Sequence, residues 1–249
     1  MRSSLLPGML YAAASNIARQ QERVRIFEIG KSFHGTLQAH DEIVQLAGVV
    51  TGSARPEQWS EKPQPVDFFD VKADVEAVLK LAGNVTAIDF EAADHALLQT
   101  GQAANIVSGG KVIGMLGKVH PRHVKTFGLK RPAYVFELNT ELAFAASIPV
   151  ATSVSKFPSI RRDIAVIVNE KISADELTKA VAESAPEIIS SVRIFDIFTG
   201  AGIEAGLKSV ALGLILQETS RTLTDDDADS AMAAAVRKLQ EKYGAELRD

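Results

Sequence analysis

Two short stretches of this 249-residue chain carry residue types that could do chemistry. One is KFPSIRR, with Lys156, Phe157, Ser159, Arg161 and Arg162; the other is Ser220-Arg221-Thr222. Guanidinium and ammonium groups interleaved with hydroxyls are donors that hold phosphate oxygens. Lys208 adds a cation at the head of the apolar run KSVALGLILQ. The same residues also read as the ordinary solvated ends of strands, and residue types alone leave both readings open. Catalytic patterns are missing. No GxSxG, Walker A or GxGxxG stretch occurs. The chain has no Cys, which rules out disulfides and thiol chemistry and fits a reducing cytoplasm. Its five His residues (34, 40, 95, 120 and 123) show no HxxxH or HExxH spacing, so no metal site is expected. Lys111 follows Gly109-Gly110 in a hairpin pattern, not in the strand-loop-helix context of a phosphate loop. Asp225, Asp226 and Asp227 read as first-turn acids of a helix, and Asp67, Asp70, Asp74 and Glu76 as the polar face of another. From its residues the chain does not read as a self-contained enzyme.

Charge limits how nucleic acid could be held. Residues 1–150 carry 15 Lys/Arg and 15 Asp/Glu, whereas residues 151–249 carry 12 and 16. Neither half is basic, so any phosphate contact must come from a local patch and not from a general field. No apolar run approaches the roughly 20 residues of a membrane helix, and the N-terminus MRSSLLPGML lacks a signal-peptide pattern.

The elements that must position the cations follow from periodicity. Residues 5–19 put Leu6, Met9, Leu10, Ala13 and Ile17 on one helical face, with Pro7 in the first turn. Apolar residues extend beyond that stripe to Leu5 and Tyr11, which predicts that part of this helix packs against a partner. RVRIFEIGKSF alternates as a strand, and residues 43–50 read as a second, more buried one. GSARPEQWSEKPQP is a polar, Pro-rich excursion. FFDVKADVEAVLKLAG is an amphipathic helix with Phe68, Val71, Val75, Val78, Leu79 and Ala82 in its stripe and Gly83 as its cap. Ala103–Ser108 and Lys111–Lys118 flank the Gly109-Gly110 turn of a hairpin. HPRHVK reads as a short helical turn and AYVFELN as a strand. This is an α+β layer on an antiparallel sheet. Residues 147–156 lack a period and read as a linker, which divides the chain into domains 1–150 and 151–249.

The second domain has a clearer pattern. IAVIV is a strand, Ser173-x-x-Glu176 opens a helix, VRIFDIFTG and KSVALGLILQ are strands, and Thr224 opens a second helix that ends at Gly244. Ala228, Met232, Ala235, Val236, Leu239 and Tyr243 form that helix's buried stripe, and AELR can add an edge strand. The order β-α-β-β-α-β is a ferredoxin-like split unit. Its first and third strands are central and antiparallel, so Arg161, Arg162 and Arg221 should converge on one rim. Ser159, Ser220 and Thr222 would supply hydroxyls there. No aromatic lies on either central strand, and Phe195 and Phe198 read as core or rim of an edge strand, not as a base-stacking platform.

KFPSIRRDIAVIV, VRIFDIFTG, LKSVALGLILQ and SRTLTDDDAD resemble, in order and spacing, the ferredoxin-fold anticodon-binding domain at the C-terminus of bacterial phenylalanyl-tRNA synthetase β subunits. MRSSLLPGML, RVRIFEIGKSF, DFFDVKADVEAVL and VIGMLGKVHPRH resemble the class-II-synthetase-like module of the same subunits. The resemblance covers nearly the whole chain. It implies a noncatalytic class-II-synthetase-like domain over residues 1–150, followed by an anticodon-binding domain over residues 151–249. It also implies a C-terminal fragment of the β subunit, acting as part of a phenylalanine-tRNA ligase complex in the cytoplasm. The implied partners are the catalytic α subunit, in an α2β2 heterotetramer, and tRNA(Phe). No cofactor is implied for this fragment; ATP and Mg2+ belong to the full enzyme. The tRNA-binding residues implied are Lys156, Phe157, Ser159, Arg161, Arg162, Lys208, Ser220, Arg221 and Thr222. The chain departs from the family at Gln99-Thr100-Gly101, where members often carry His-Pro-Gly, so no role is given to that loop. Two other readings remain: a small-ligand-binding regulatory module with a ferredoxin-like fold, and an enzyme in its own right with Glu28 and Lys31 as remnants of an ATP site.

Overall fold

A computed structural model describes residues 1–36, 38–81, 88–145, 154–200 and 202–248. The chain forms two compact units, Met1–Val150 and Ala151–Asp249. Gly83 and most of the expected linker lie outside the described residues.

In the first unit, α1 (Leu6–Ala18) precedes β1 (Val24–Gly35) and β2 (His40–Thr51). Then come α2 (Phe68–Leu81), β3 (Ile88–Ala92), β4 (Leu98–Ser108), β5 (Lys111–Val119), α3 (Pro121–Thr126), β6 (Ala133–Asn139) and α4 (Thr140–Ala143). The strands make an antiparallel sheet in the order β1-β2-β6-β5-β4-β3. α1 packs with Val24, Ala47, Val49 and Val135, while α2 packs with Leu46, Val50, Ile106, Leu116 and Leu138. Successive strand residues point to opposite faces, so a sheet covered on both sides needs continuous apolar strands. β2 shows this, being buried without interruption from Gln45 to Thr51. The α2 helix starts where Asp67 Oδ1 accepts the amides of Phe69 (2.8 Å) and Asp70 (3.0 Å). β3 and α4 are too short and too weakly patterned to have been read from sequence. β4 begins five residues earlier than its hairpin signal, through an irregular register between Leu98 and Ala103.

The expected partner-facing side of α1 is not there. Leu5, Leu6 and Leu10 have no exposed surface, and Met9, Ala13 and Ile17 are buried with them in their own unit. The sheet face beneath is broad enough to take more than one stripe of the helix. Only Tyr11 remains outside, set edge-on to Phe127 at 4.9 Å. Apolar side chains are exposed on the edge strand β1, where Phe27 is 73% and Ile29 62% exposed, with Val44 beside them on β2; Trp59, Phe69 and Leu81 are exposed elsewhere in the unit.

One half-buried acid anchors α1. The Leu5 amide donates to Glu137 Oε1 at 2.8 Å, and the Ser4 hydroxyl donates to both carboxylate oxygens at 3.0 and 3.1 Å. Gln45 is oriented so that its amide nitrogen donates to the same carboxylate at 2.8 and 3.0 Å, while its carbonyl accepts from the Ser32 hydroxyl. Burial nevertheless raises the Glu137 pKa, outweighing these hydrogen bonds.

The second unit runs β7 (Ile160–Asn169), α5 (Ala174–Ala182), β8 (Ile189–Phe198), β9 (Leu207–Leu216), α6 (Asp225–Tyr243) and β10 (Glu246–Leu247). The sheet order is β10-β7-β9-β8. Both helices open with a capping box, Ser173 with Glu176 and Thr224 with Asp227, and α6 ends at Gly244 in the left-handed region (φ 62°). Ile164, Val166 and Val168 of β7 and Val210, Leu212, Leu214 and Leu216 of β9 point to one face, against α5 and α6. The alternate residues form the other face, which no helix of the unit covers.

Two stability outcomes follow. Thr224→Ala removes the hydroxyl that accepts the Asp227 amide, and should destabilise the second unit by about 1 kcal/mol in urea unfolding. Glu137 has a folded pKa raised above its unfolded value. Its contribution is therefore greatest below the unfolded pKa of about 4.3 and is lost as pH rises through the folded pKa. The stability of the native protein relative to Glu137→Gln should then increase as pH falls from 7 toward that range. A pH-independent difference would show that the carboxylate is not desolvated in the fold.

Candidate nucleic-acid interface

The register of β7 against β9 sets where each cation goes. Ile160 pairs with Leu216, Arg161 with Ile215 and Arg162 with Leu214, so the start of β7 lies beside the end of β9. Arg161 and Arg162 are neighbours in a strand and therefore point to opposite faces. Arg162 points to the helix side, where its Nη2 donates to Asp225 Oδ1 at 2.7 Å in the first turn of α6. Arg221, in the loop after β9, meets the same turn. Its Nη1 and Nη2 donate to Asp227 Oδ2 and Oδ1 at 2.6 and 3.0 Å, and its Nε lies 3.1 Å from Glu218 Oε2. The expected rim thus brings together Arg162 and Arg221, but as guanidinium groups already facing acids. Arg161 is not part of it.

The remaining sequence candidates divide. Lys156 and Ser159 are exposed ahead of β7, and Thr222 is exposed beside Arg221. Phe157 is half-buried, its carbonyl accepting from Gln217 Nε2 at 2.7 Å. The Ser220 hydroxyl donates to Glu218 Oε1 at 2.5 Å. Lys208 belongs elsewhere. It pairs across from Val168, at the opposite end of the sheet, and its Nζ donates to the carbonyls of Glu170 (3.1 Å) and Ile172 (2.5 Å). An antiparallel partner strand begins where its neighbour ends, so a cation at the start of β9 cannot share a rim with the start of β7.

The uncovered sheet face holds what the sequence reading missed. Phe195 is 55% and Phe198 38% exposed, and both lie on this face, not in a core. The Arg161 guanidinium sits 5.6 Å from the Phe195 ring centroid, and that of Arg248 sits 5.6 Å from the Phe198 ring. Arg161 Nε donates to Asp163 Oδ1 at 2.9 Å, and Arg248 Nη1 donates to the Ser209 hydroxyl at 3.0 Å. Arg193 is exposed opposite Gly213. Gly213 keeps the centre flat, because a Cβ there would meet the Arg161 and Asp163 side chains at 3.1 to 3.6 Å. Phe195 follows the helix-side Ile194 and so takes the open face, and a register shift between Ile194 and Asp196 puts Phe198, opposite Ser209, on that face too. Strict alternation from Ile194 would have sent Phe198 to the helix side, because residues three apart on a regular strand point to opposite faces. Exposed rings with guanidinium groups beside them, on a flat four-stranded face, can stack bases and neutralise the phosphates between them.

The arrangement does not suit nucleotide chemistry in the first unit. Glu28 is paired with Arg2 (2.6 Å) and Lys31 with Glu42 (2.5 Å), all on the surface. Among the described residues no group of three or more His, Cys, Asp or Glu could hold a metal ion. No described helix is long and apolar enough to cross a membrane.

Comparison with known proteins identifies the family of both units. Residues 1–140 match the family described as the phenylalanyl tRNA synthetase beta chain CLM domain, and residues 155–248 match the ferredoxin-fold anticodon binding domain. The chain is 43% identical over 248 residues to a phenylalanine–tRNA ligase beta subunit of Pseudomonas fluorescens, covering all of this chain and 31% of that protein. A beta subunit of Methylococcus capsulatus is 43% identical over 252 residues, with the same coverage. The chain therefore spans about a third of the length of these relatives. A solved pyrrolysyl-tRNA synthetase of Desulfitobacterium hafniense shows a slight likeness, with a TM-score of 0.45 at 15% identity over 57% of this chain and 48% of that one.

The two rim arginines should differ on removal. Asp227 also accepts from the Thr224 amide and hydroxyl, and its pKa is held well below the usual carboxylate range, chiefly by Arg221. Arg221→Ala should therefore loosen the α6 start, seen as faster amide hydrogen exchange at Asp227 and Ala228. Arg162→Ala removes a guanidinium whose ion-pair partner among the described residues is the exposed Asp225, and should leave that exchange within about twofold, as expected for a surface pair.

Proposed function

Since the chain belongs to the phenylalanyl-tRNA synthetase β-chain family, we propose that its second unit binds the anticodon region of tRNA(Phe) through the uncovered sheet face and the adjoining rim. The observation that carries this reading is the pair of exposed rings, Phe195 and Phe198, each with a guanidinium beside it on a flat open sheet. Unstacked anticodon bases lie on the rings. Arg161, Arg193 and Arg248 meet the backbone, and Lys156, Ser159, Arg162 and Thr222 extend the contacts along the rim. Arg221 acts mainly by holding the first turn of α6, and Lys208 has no part in the interface.

The first unit serves as a scaffold. Its exposed apolar edge, Phe27 and Ile29 on β1 with Val44 beside them, is the surface we assign to the catalytic α subunit. The complete enzyme, an α2β2 assembly in the cytoplasm, ligates phenylalanine to its tRNA with ATP and Mg2+ acting on α. The residues of this chain do not fit a nucleotide-magnesium site, because Glu28 and Lys31 are engaged with their own neighbours. Its part is to hold tRNA and partner.

Phe195→Ala with Phe198→Ala tests the interface. Neither side chain belongs to the buried core, so circular dichroism should stay native and the melting temperature should fall only modestly. Base-aromatic stacking contributes about 1–3 kcal/mol per base, so losing two stacks should weaken tRNA(Phe) binding by at least roughly 10-fold. Binding that is unchanged in the folded double variant would rule out this face as the RNA surface.

A further inference from the structure

The two guanidinium groups at the rim are held by acids of very different character. Asp227 is part of the α6 capping box and receives Arg221 through two hydrogen bonds while also accepting from the Thr224 amide and hydroxyl. Among the described residues Asp225 has one side-chain partner, Arg162 Nη2 at 2.7 Å, and its side chain is 86% exposed. Arg162 is itself 33% exposed, its stem lying along the helix side of the sheet end. Asp227 is fixed by the fold, whereas Asp225 is a carboxylate in water resting on a cation.

We propose that Asp225 is a specificity-determining residue: it occupies Arg162 as a stand-in for an RNA phosphate and gives way only to a phosphate that the rest of the interface places in register. This rests on the anticodon-binding reading above. Exposed ion pairs are weak and exchange readily, so a phosphate offering a paired, charge-assisted contact can displace Asp225. A phosphate arriving without stacked bases on Phe195 and Phe198 exchanges one acidic partner for another and gains little. The unit as a whole carries more acid than base, so an uncovered Arg162 would be one of few places where any RNA could settle. Asp225 thus lowers binding of wrong RNA more than binding of the right one.

Asp226 supplies the control. It lies in the same turn, is exposed and has no partner among the described residues, so Asp226→Asn removes the same charge without releasing Arg162. Binding of tRNA(Phe) and of a noncognate tRNA to the 249-residue chain can be followed by fluorescence anisotropy across a salt series. Asp225→Asn should raise noncognate affinity about 3- to 5-fold, the scale of one exposed pair, and steepen the salt dependence by up to about one contact. Cognate affinity should rise less, so discrimination falls. Asp226→Asn should change noncognate affinity by less than about 1.5-fold, and Arg162→Ala added to Asp225→Asn should abolish the gain. Equal effects of Asp225→Asn and Asp226→Asn would overturn the proposal, as would an equal gain for both tRNAs. If Arg162→Ala alone leaves tRNA(Phe) binding unchanged while Phe195→Ala with Phe198→Ala still weakens it, the stand-in falls and the sheet-face reading survives. If neither changes it, both fall.

Discussion

The pairing of β7 with β9 is the constraint on which the second unit depends. Ten residues of each strand are joined from Ile160–Leu216 to Asn169–Leu207. Because side chains alternate, this register sends Ile164, Val166 and Val168 into the core together with Leu212 and Leu214. It also sends Arg161 to the open face and Arg162 to the helix side. A slip of one residue would bury Arg161 and expose the apolar set, so the burial of the core and the placement of the cations are a single choice. The apolar side is the stronger driving force by far, and the functional side chains take the positions it leaves.

The first unit solves a different problem. Its sheet is covered on both faces, which leaves little apolar strand surface free except at the β1 edge. Burying α1 requires its first amides to find acceptors away from water. Glu137 supplies one from the middle of the sheet, at the cost of keeping a carboxylate where burial disfavours its charge. The half-buried anchor of α1 and the exposed apolar residues of β1 lie at different parts of the same sheet.

Three arginines at one end of the second unit face acids. Arg161 leans on Asp163, Arg162 on Asp225 and Arg221 on Asp227 and Glu218. Such pairs contribute little to stability one by one. Paired in this way, a guanidinium exerts less long-range attraction on a polyanion than a bare one would.

Much of this could be read along the chain. The split β-α-β-β-α-β order, both capping boxes, the Gly244 helix end and the Gly109-Gly110 hairpin depend on local chemistry, which a sequence displays directly. The cations around Ile160 and Thr222 were visible as residue types, and the antiparallel logic brought Arg162 and Arg221 near each other. What the residues alone could not decide was which groups are already engaged. Ion pairs such as Arg162–Asp225, separated by 63 positions, exist only once the α6 start is laid against the sheet end. The irregular register that turns Phe198 outward depends on how β8 meets β9, and the place of Lys208 at the far end of the sheet follows from strand direction. Local propensity is written in neighbouring residues. The face, the end and the partner of a side chain belong to the packing of distant ones.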